Sequence, residues 1–291
     1  MSMLALDIGG TKIAGGVVDP DGRLLRQATR PTGDDPFGSL RAVVAELKAG
    51  AVAGVGIGCA GPVDPVAGTV SPINIAAWRG FPLVERVREL VNAPVALAGD
   101  AVCVALGEHW VGAGQGSSAM LGMVVSTGIG GGLVIDGRPF GGLSGNAGHV
   151  GHVVVEPDGE PCACGGRGCA ETVASGPNLV RWARQRGWVG EDARALAASA
   201  HAGDAVARQA FERCGRAVGL AIVATAAVCD LDLAVVGGGL AQTGDLLFEP
   251  VRAALATHAR LSYLRGLRVE PVKLGTTAGL YGAAALAYSL T

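Results

Sequence analysis

The chain repeats one device: an apolar run, a polar turn rich in glycine, and a second apolar run. The first copy has apolar runs at 3–8 and 13–18, and the second has them at 120–125 and 133–135, around a glycine turn at 126–132. Each copy is typical of a strand, a turn and a second strand. With the helical periodicity that follows, the sequence predicts the order β-β-β-α-β-α twice. This order indicates an α/β fold of two domains, each a mixed sheet flanked by helices, with ligands in a cleft between them.

The same repeat predicts the domain boundaries. Residues 1–115, with an alanine-rich C-terminal helix in 277–291, are expected to form a smaller domain that carries the first glycine turn. Residues 116–276 are expected to form a larger domain. It carries the second turn and a third glycine cluster at 237–239, which follows a predicted strand.

Composition excludes several classes of protein. The chain has 291 residues, of which 49% are hydrophobic, enough for two cores. A net charge of −2 and scattered Lys and Arg side chains give no basic field, so we expect no nucleic-acid partner. The apolar stretch at 217–229 is too short to span a bilayer, and the first residues show no signal-peptide pattern. We therefore expect a cytoplasmic protein without a membrane partner.

The glycine turns are candidate phosphate-binding sites. Without a side chain, backbone N–H groups can approach phosphate oxygens closely, and a threonine in each turn can add a hydroxyl donor. The alternative is that these are ordinary hairpin turns. None of them is a Walker loop. Two matched turns and a third cluster favour nucleotide binding. The candidate residues are Gly9, Gly10, Thr11, Lys12, Thr127, Gly128, Gly130, Gly237, Gly238 and Gly239.

Two aspartates follow predicted strands. Asp7 ends the first strand beside the first glycine turn, where its carboxylate can hold Mg²⁺, directly or through water, or can simply cap the turn. Asp100 follows a predicted strand at 95–97 and precedes a predicted helix at 101–111. Its carboxylate can cap that helix, and it can also accept the proton of an attacking hydroxyl during phosphoryl transfer. The two roles of Asp100 are compatible.

Three cysteines and a histidine have the composition of a structural zinc site. His152, Cys162, Cys164 and Cys169 provide the Cys₃His donor set that zinc prefers, with no coordination position left open for water. A disulfide is the alternative, but Cys162 and Cys164 are too close in sequence to pair easily, and nothing indicates an oxidising compartment.

Together these motifs resemble the ROK family, which groups sugar kinases and sugar-responsive repressors within the actin-like ATPase superfamily. The segment Asp-Ile-Gly-Gly-Thr-Lys at 7–12 is similar to the family's first phosphate motif, and Ser-Thr-Gly-Ile-Gly-Gly-Gly at 126–132 to its second. Val-Gly-Gly-Gly at 236–239 resembles the adenosine motif, and 148–171 resembles the zinc signature. The resemblance covers essentially the whole chain.

This resemblance implies two actin-like (ribonuclease H-like) domains and ATP-dependent phosphorylation of a sugar hydroxyl, with ATP, Mg²⁺ and Zn²⁺ as cofactors. It places Asp100 at the position of the catalytic base. It also implies a homo-oligomer, a dimer or a tetramer. The substrate-binding residues that it implies are Gly61, Asn74, Asp100, His149, His152 and Glu171.

The chain departs from the family pattern at positions that, in the family, bind the hydroxyl groups of the sugar. Where the family usually has Glu-Asn-Asp-Ala-Asn, this chain has Ala-Gly-Asp-Ala-Val at 98–102. Where the family has Gly-Glu-Ile-Gly-His, this chain has Gly-His-Val-Gly-His at 148–152. Losing groups that bind hydroxyls changes specificity. We therefore expect a kinase for a glucose-like sugar, either a hexose or an N-acyl hexosamine, or for a sugar-mimicking C7-cyclitol.

Two other functions were considered. The repressors of the family carry a helix-turn-helix ahead of the first phosphate motif, whereas six residues precede Asp7 here, so a repressor is not expected. A non-catalytic sugar-sensing protein is the remaining alternative, because the altered sugar-reading residues permit it. Retention of Asp7, Asp100 and both glycine turns favours the kinase.

Overall fold

The computed structural model of the protein describes residues 1–47 and 52–290. Contacts within the chain form two groups. Unit 1 comprises Met1–Gly116, Gly132–Gly148 and Lys273–Thr291, and unit 2 comprises Ser117–Gly131 and His149–Val272. Residues 48–51 and 291, which the sequence assigns to the smaller domain, lie outside the described residues. The domain boundaries 1–115 with 277–291, and 116–276, stay a prediction.

Unit 1 is built on a mixed sheet in the order β3-β2-β1-β4-β7. The strands β1 and β2 are antiparallel, whereas β1, β4 and β7 run parallel. The first glycine turn therefore joins two antiparallel strands, as the sequence predicts. The elements from residue 1 to 116 are β1 Met3–Ile8, β2 Lys12–Val18, β3 Leu24–Pro31, α1 Pro36–Leu47, β4 Val55–Cys59, β5 Val63–Asp64, β6 Thr69–Val70, α2 Leu83–Arg88, β7 Val95–Gly99 and α3 Asp100–Val111.

The second mixed sheet has the order β10-β9-β8-β11-β12, in which β8, β11 and β12 run parallel. Both sheets thus use the same order of strands relative to the chain, which is the duplication that the sequence predicts. The elements from residue 117 onward are β8 Ala119–Val125, β9 Ile129–Ile135, β10 Arg138–Phe140, α4 Ala170–Ala174, α5 Gly176–Arg184, α6 Ala193–His201, α7 Ala205–Cys229, β11 Leu233–Gly237, α8 Asp245–His258, β12 Arg268–Pro271 and α9 Ala278–Tyr288.

Small residues let α9 pack tightly within unit 1. This helix is almost entirely buried and rich in alanine and glycine, so it offers no bulky ridge to its neighbours. A Cβ on Gly282 would lie 1.6 Å from the carbonyl oxygen of Cys103 in α3. A Cβ on Gly56 of β4 would lie 1.7 Å from the carbonyl oxygen of Ala283. Glycine at these positions allows α9 to contact both the sheet and α3.

The structure corrects the predicted extent of the second glycine turn. The strand β9 begins at Ile129, so Gly130 lies in a strand and not in the turn predicted for 126–132. Glycine at 132 has a different role, because a Cβ there would lie 2.5 Å from the Cα of Val102. The glycine run at 126–132 therefore resembles a long turn in sequence, although the part from Ile129 onward is a strand. The helix α3 packs closely against this strand at Gly132.

Helix boundaries shift by one or two residues from the prediction. The sequence predicts a helix at 178–186, but α5 spans Gly176–Arg184 because Pro177 stands in its first turn, where its missing N–H is tolerated. Within the described ranges, no helix combines the length and the apolar character needed to cross a membrane.

Candidate functional site

In unit 1, the carboxyl ends of three parallel strands bring the predicted aspartates to one edge of the sheet. Asp7 is opposite Gly58 in the β1–β4 register, and Cys59 is opposite Gly99 in the β4–β7 register. Asp100 follows Gly99 directly. This is the edge at which open α/β sheets bind ligands.

Asp7 is partly buried at this edge, and its surroundings disfavour its charge. Burial raises the pKa of Asp7 from 3.8 to about 6, the carboxylate of Asp100 adds to the rise, and the ammonium of Lys12 opposes it. A Cβ on Gly279 of α9 would lie 2.7 Å from Oδ2 of Asp7, so the glycine gives the carboxylate room. An acid kept where its ionisation is unfavourable is characteristic of a functional site.

Asp100 is exposed and stands at the start of α3. The residue before it, Gly99, is the N-cap of the helix, so the capping role that the sequence allows for Asp100 belongs by position to its neighbour. Oδ1 of Asp100 accepts a hydrogen bond of 2.7 Å from the N–H of Ala101. This bond holds one carboxylate oxygen against the first turn of the helix. Asp100 thus has a defined orientation at the strand edge.

Two thiols lie close to these aspartates. Cys59 ends β4, and Cys103 stands one helical turn after Asp100; both are buried. Burial raises the pKa of Cys59 and of Cys103, and the charges of Asp100 and Asp7 raise both further. The thiols therefore stay protonated and do not compete with the carboxylates for a proton or a cation.

The first glycine turn is held by short hydrogen bonds. The N–H of Gly9 donates to the carbonyl oxygen of Lys12 at 3.0 Å, and the hydroxyl of Thr32 donates to the carbonyl oxygen of Gly9 at 2.7 Å. A Cβ on Gly10 would lie 2.5 Å from the Cβ of Asn74. The structure thus brings Asn74, a predicted substrate ligand, against the predicted phosphate turn.

Gly61 lies in the loop after β4, at the same edge as Asp7. The residue before it, Ala60, donates its N–H to the carbonyl oxygen of Ile8 at 3.0 Å. In unit 1, the predicted residues of the first glycine turn, both aspartates, Gly61 and Asn74 therefore cluster around the ends of β1, β4 and β7.

In unit 2, the second glycine turn meets the third glycine cluster. Gly238 has φ +91°, and a Cβ there would lie 2.3 Å from the carbonyl oxygen of Val125. The N–H of Leu240 donates to that same oxygen at 3.1 Å. A cavity of about 1180 Å³ opens beside this contact, and its walls include Thr127, Gly176 and Gly239. Its volume is sufficient for a nucleotide.

The four predicted zinc ligands converge in unit 2. One donor atom from each of His152, Cys162, Cys164 and Cys169 lies within 4.8 Å of the others. Nδ1 of His152 is 3.7 Å from Sγ of Cys162, and Sγ of Cys164 is 3.8 Å from Sγ of Cys169. Two sulfurs in a tetrahedral zinc shell are about 3.8 Å apart, given a Zn–S bond of about 2.3 Å. The donor set and its spacing therefore fit Zn²⁺.

The acidity of the thiols supports the same fit. The N–H of Gly166 donates to Sγ of Cys164 at 3.4 Å and lowers the pKa of that thiol. Burial and the neighbouring thiols raise the pKa of Cys169 to about 12. Thiolates are the form that binds metal, and a bound cation would offset the repulsion between the charges of Cys164 and Cys169.

Glu171 is anchored beside the second glycine turn. Its Oε2 accepts a hydrogen bond of 2.8 Å from the N–H of Ile129. It follows Cys169 by two residues, so it lies at the end of the cysteine loop, close in sequence to a candidate metal ligand. His149, the other predicted substrate ligand of unit 2, is exposed just before the 3-10 turn Val150–His152.

Comparisons with known proteins agree with this geometry. A sequence profile described as the ROK family matches residues 3–289. The chain belongs to the ROK family. This confirms the resemblance inferred from the motifs.

Several characterised ROK relatives and structures are similar to the chain over nearly their full length. A glucokinase of Streptomyces coelicolor is 34% identical, over 98% of this chain and 96% of the relative. An N-acetylmannosamine kinase of Escherichia coli is 36% identical, over 83% and 85%. A ROK glucokinase of Streptomyces griseus, solved with glucose and AMPPNP, superposes with a TM-score of 0.81 at 36% identity, over 99% and 100%. The actin-like α/β fold is therefore confirmed.

Sequence reasoning missed several residues that shape this ROK site. Gly279 faces Asp7 from an element 272 positions away, and Gln242 and Thr243 line the large cavity. No short-range pattern signals such contacts. Asn178 was assigned only to a helix, yet its amide donates to the carbonyl oxygen of Glu171 at 2.8 Å. The sequence Ser-Gly-Pro at 175–177 is typical of a helix start and is the pattern that could have located Asn178 in the first turn of α5.

Proposed function

We propose that this protein transfers the γ-phosphoryl group of ATP to a hydroxyl of a glucose-like sugar or of a sugar-mimicking C7-cyclitol. As an enzyme class, the protein is an ATP-dependent sugar kinase of the ROK family. The observation that carries the proposal is the convergence of Asp7 and Asp100 at the carboxyl ends of the parallel strands of one mixed sheet. The finer statements about substrate, ligands and residue roles rest on the arguments that follow.

Asp100 is proposed as the catalytic base. The N–H of Ala101 orients one carboxylate oxygen of Asp100, and this carboxylate would accept the proton of the acceptor hydroxyl as the hydroxyl oxygen attacks the γ-phosphorus and ADP leaves. Its exposure gives a substrate access to the carboxylate. Its position at the helix start also places the positive end of the helix dipole beside the developing charge.

The glycine turns are proposed to bind the nucleotide. Residues Gly9 to Lys12 would hold phosphate oxygens in unit 1, and Thr127, Gly128 and Gly130 would do so in unit 2. Gly237 to Gly239 would face the adenosine, because the large cavity opens beside Gly239.

Asp7 would hold Mg²⁺, directly or through water, and a magnesium ion at that carboxylate neutralises charge on the phosphates. The raised pKa of Asp7 fits this role, since a cation would recover the cost of ionising a partly buried acid.

We further propose that His152, Cys162, Cys164 and Cys169 hold a structural Zn²⁺. Four protein donors leave no position for a reactive water, so the ion would order the loop and not take part in the transfer. With Nδ1 of His152 directed to the thiols, Nε2 is the nitrogen that can meet an acceptor hydroxyl. A homodimer or a homotetramer stays a prediction that light scattering can test.

The residues at the sugar-reading positions of the family pattern support a substrate that differs from glucose. Val102 is buried and apolar at a position where the family usually has asparagine, and Gly99 brings no side chain. His149 replaces a carboxylate that would accept hydroxyl protons. A site with fewer hydrogen-bonding groups favours an acceptor with fewer matching groups, such as a carbocycle whose methylene replaces the ring oxygen.

A panel of acceptors with ATP tests the function. Glucose, N-acetylmannosamine and valiolone would be compared by ADP release and by mass detection of the phosphorylated product. We expect transfer to at least one, and a loss of about 10²–10⁴-fold in kcat for Asp100→Asn, because its positioned base is removed. The variant should remain folded. Sugar binding without any transfer by the wild-type protein would instead support the sugar-sensing alternative.

Restoring the family's asparagine tests the specificity argument. The backbone of Gly99 has φ −63° and ψ 149°, which asparagine adopts without strain. A Cβ there would meet only Cγ2 of Val102, at 3.8 Å. Gly99→Asn is expected to raise kcat/KM for glucose relative to valiolone by about 10-fold or more. Gly266→Asn, at an open exposed glycine, is the matched control. An unchanged ratio would contradict the role assigned to position 99.

A further inference from the structure

The side chain of Glu171, a predicted substrate ligand, contacts the second glycine turn within unit 2. Oε2 of Glu171 accepts the N–H of Ile129 at 2.8 Å, at the residue where the glycine turn enters β9. A Cβ on Gly128 would lie 2.8 Å from the same oxygen. Glycine at 128 thus leaves room for the carboxylate as well as for a phosphate. The contact fixes the backbone just after Thr127.

Several hydrogen bonds fix the backbone around Glu171. The side-chain amide of Asn178 donates to the carbonyl oxygen of Glu171 and to Oγ of Ser175, each at 2.8 Å. The N–H of Gly176 donates to the carbonyl oxygen of Ser126 at 2.7 Å. The corner between α4 and α5 therefore contacts the glycine turn at two points, one through backbone and one through Glu171.

The other side of Glu171 leads to the cysteine cluster. Ala170 donates its N–H to the carbonyl oxygen of Val153 at 2.9 Å, next to His152. Within residues 1–47 and 52–290, no Lys or Arg forms an ion pair with Glu171. Its Oε1 can therefore accept a hydrogen bond from a hydroxyl of the substrate, while its Oε2 accepts the N–H of Ile129.

We propose that Glu171 is a positioning residue that couples the acceptor pocket to nucleotide binding, by holding the second phosphate turn through Ile129 while its other oxygen accepts an acceptor hydroxyl. This proposal rests on the proposed function and adds to it a connection between two binding sites. Loss of the Ile129 bond would leave the turn free to move and would weaken nucleotide binding, even when no acceptor is present.

Three substitutions of Glu171 separate the effect of its side-chain length from the effect of its charge. Gln has the length to accept the Ile129 N–H but no charge, Asp has the charge but is one methylene too short, and Ala has neither. The affinity of each variant for AMPPNP with Mg²⁺ would be measured by calorimetry without acceptor. We expect Glu171→Gln to stay within about threefold of the wild-type affinity, and Glu171→Asp and Glu171→Ala to lose about 10-fold or more, as befits a hydrogen bond to a charged group. Glu249→Ala, at an exposed glutamate of α8, is the control.

The same variants are then compared for KM and kcat with ATP and with the best acceptor of the panel. A residue that only binds the acceptor would raise the acceptor KM and leave AMPPNP affinity unchanged. AMPPNP affinity within twofold of wild type for both Glu171→Asp and Glu171→Ala would overturn the proposal. Zinc content and thermal unfolding report folding. If Glu171→Ala does not fold, the contrast between Glu171→Gln and Glu171→Asp still decides. Wild-type protein that binds AMPPNP but phosphorylates no polyol would refute the proposed function without affecting this result.

Discussion

At the scale of single residues, burial of Asp7, the proposed magnesium ligand, lowers the stability of the fold. Its folded-state pKa of about 6 exceeds the ordinary value of 3.8, so the folded protein holds the proton more tightly than the unfolded chain does. Protonated Asp7 therefore favours the fold at low pH. As pH rises from about 4 to about 6, the unfolded chain loses its proton first and stability falls. Above this window, the loss amounts to about 3 kcal/mol.

Asp7→Asn removes this pH-dependent loss because asparagine is neutral at every pH. Without nucleotide and Mg²⁺, the variant is expected to be about 2–3 kcal/mol more stable than wild type at pH 8, and the difference should shrink towards zero near pH 4. Urea unfolding at the two pH values measures it. Asp136→Asn, at an exposed turn residue with φ 49°, is the control and should show no such trend. A variant that is no more stable than wild type at pH 8 would contradict the raised pKa.

Single residues also show what the sequence could reveal. Asp7 and Asp100 were predicted because each directly follows an apolar run, and strand ends meet at one sheet edge. The close approach of Gly279 to Asp7 was not predicted, because α9 reaches β1 only through the tertiary fold. The family resemblance predicts Glu171 as a substrate ligand. Its hydrogen bond with Ile129 follows only from the tertiary fold.

At the scale of elements, the loop at 153–169 has little apolar core of its own. Its backbone is folded by local bonds such as Cys162 N–H to Gly166 carbonyl oxygen at 2.9 Å, and one ion pair of 2.7 Å joins Glu156 to Arg213. Only Cys162 and Cys169 are buried hydrophobic residues within it. Apolar burial therefore contributes little to ordering this loop, and a bound zinc would contribute most of it.

Cys164→Ser is expected to abolish zinc binding, since it removes one of the three thiolates and leaves only three of the four protein donors. Metal analysis should fall from about one equivalent to below half, and limited proteolysis should cleave the loop at 153–169 faster than in wild type. The control is Cys229→Ser, at a partly exposed thiol outside the cluster. Wild-type protein that holds no zinc as purified and gains none on titration would show that the cluster is not a zinc site.

Element types were predictable where periodicity is strong. The strands β1 and β8 agree within one residue at each end with the apolar runs at 3–8 and 120–125, and α3 agrees equally well with the helix predicted at 101–111. Glycine-rich stretches were harder, because glycine serves turns, phosphate contacts and close packing alike. At 126–132, a turn and a close contact with another element occur within seven residues, so composition alone could not locate the start of β9.

At the scale of the whole molecule, the repeat predicted two sheets with matching strand order, which is what the structure contains. The sequence did not reveal that residues 132–148 belong with unit 1. The chain therefore passes between the two units several times. Two of these passages lie near residues 116 and 273, and most of unit 2 separates them in sequence. Both nevertheless lie close to the same buried side chain of unit 1.

That side chain is Glu108 of α3, which is fully buried. Its Oε2 accepts the N–H of Ala113 at 2.8 Å, its Oε1 accepts that of Leu274 at 2.8 Å, and both oxygens lie 3.1 Å from the nitrogen of Lys273. The carboxylate thus satisfies backbone donors from both chain passages. Such donors are costly to leave without an acceptor inside a protein.

Glu108→Gln keeps the shape of the side chain but replaces one acceptor oxygen with a donor. At least one of the buried N–H groups then faces an NH₂ group, so we expect a loss of about 1–3 kcal/mol in the free energy of unfolding. Glu108→Ala should lose more, because it also leaves a cavity. Urea unfolding measures both variants, and faster proteolysis near 112–116 and 272–276 should accompany the loss. Glu249→Gln, which changes an exposed carboxylate of α8, is the matched control. Equal stability of Glu108→Gln and wild type would show that these chain passages do not depend on the buried carboxylate.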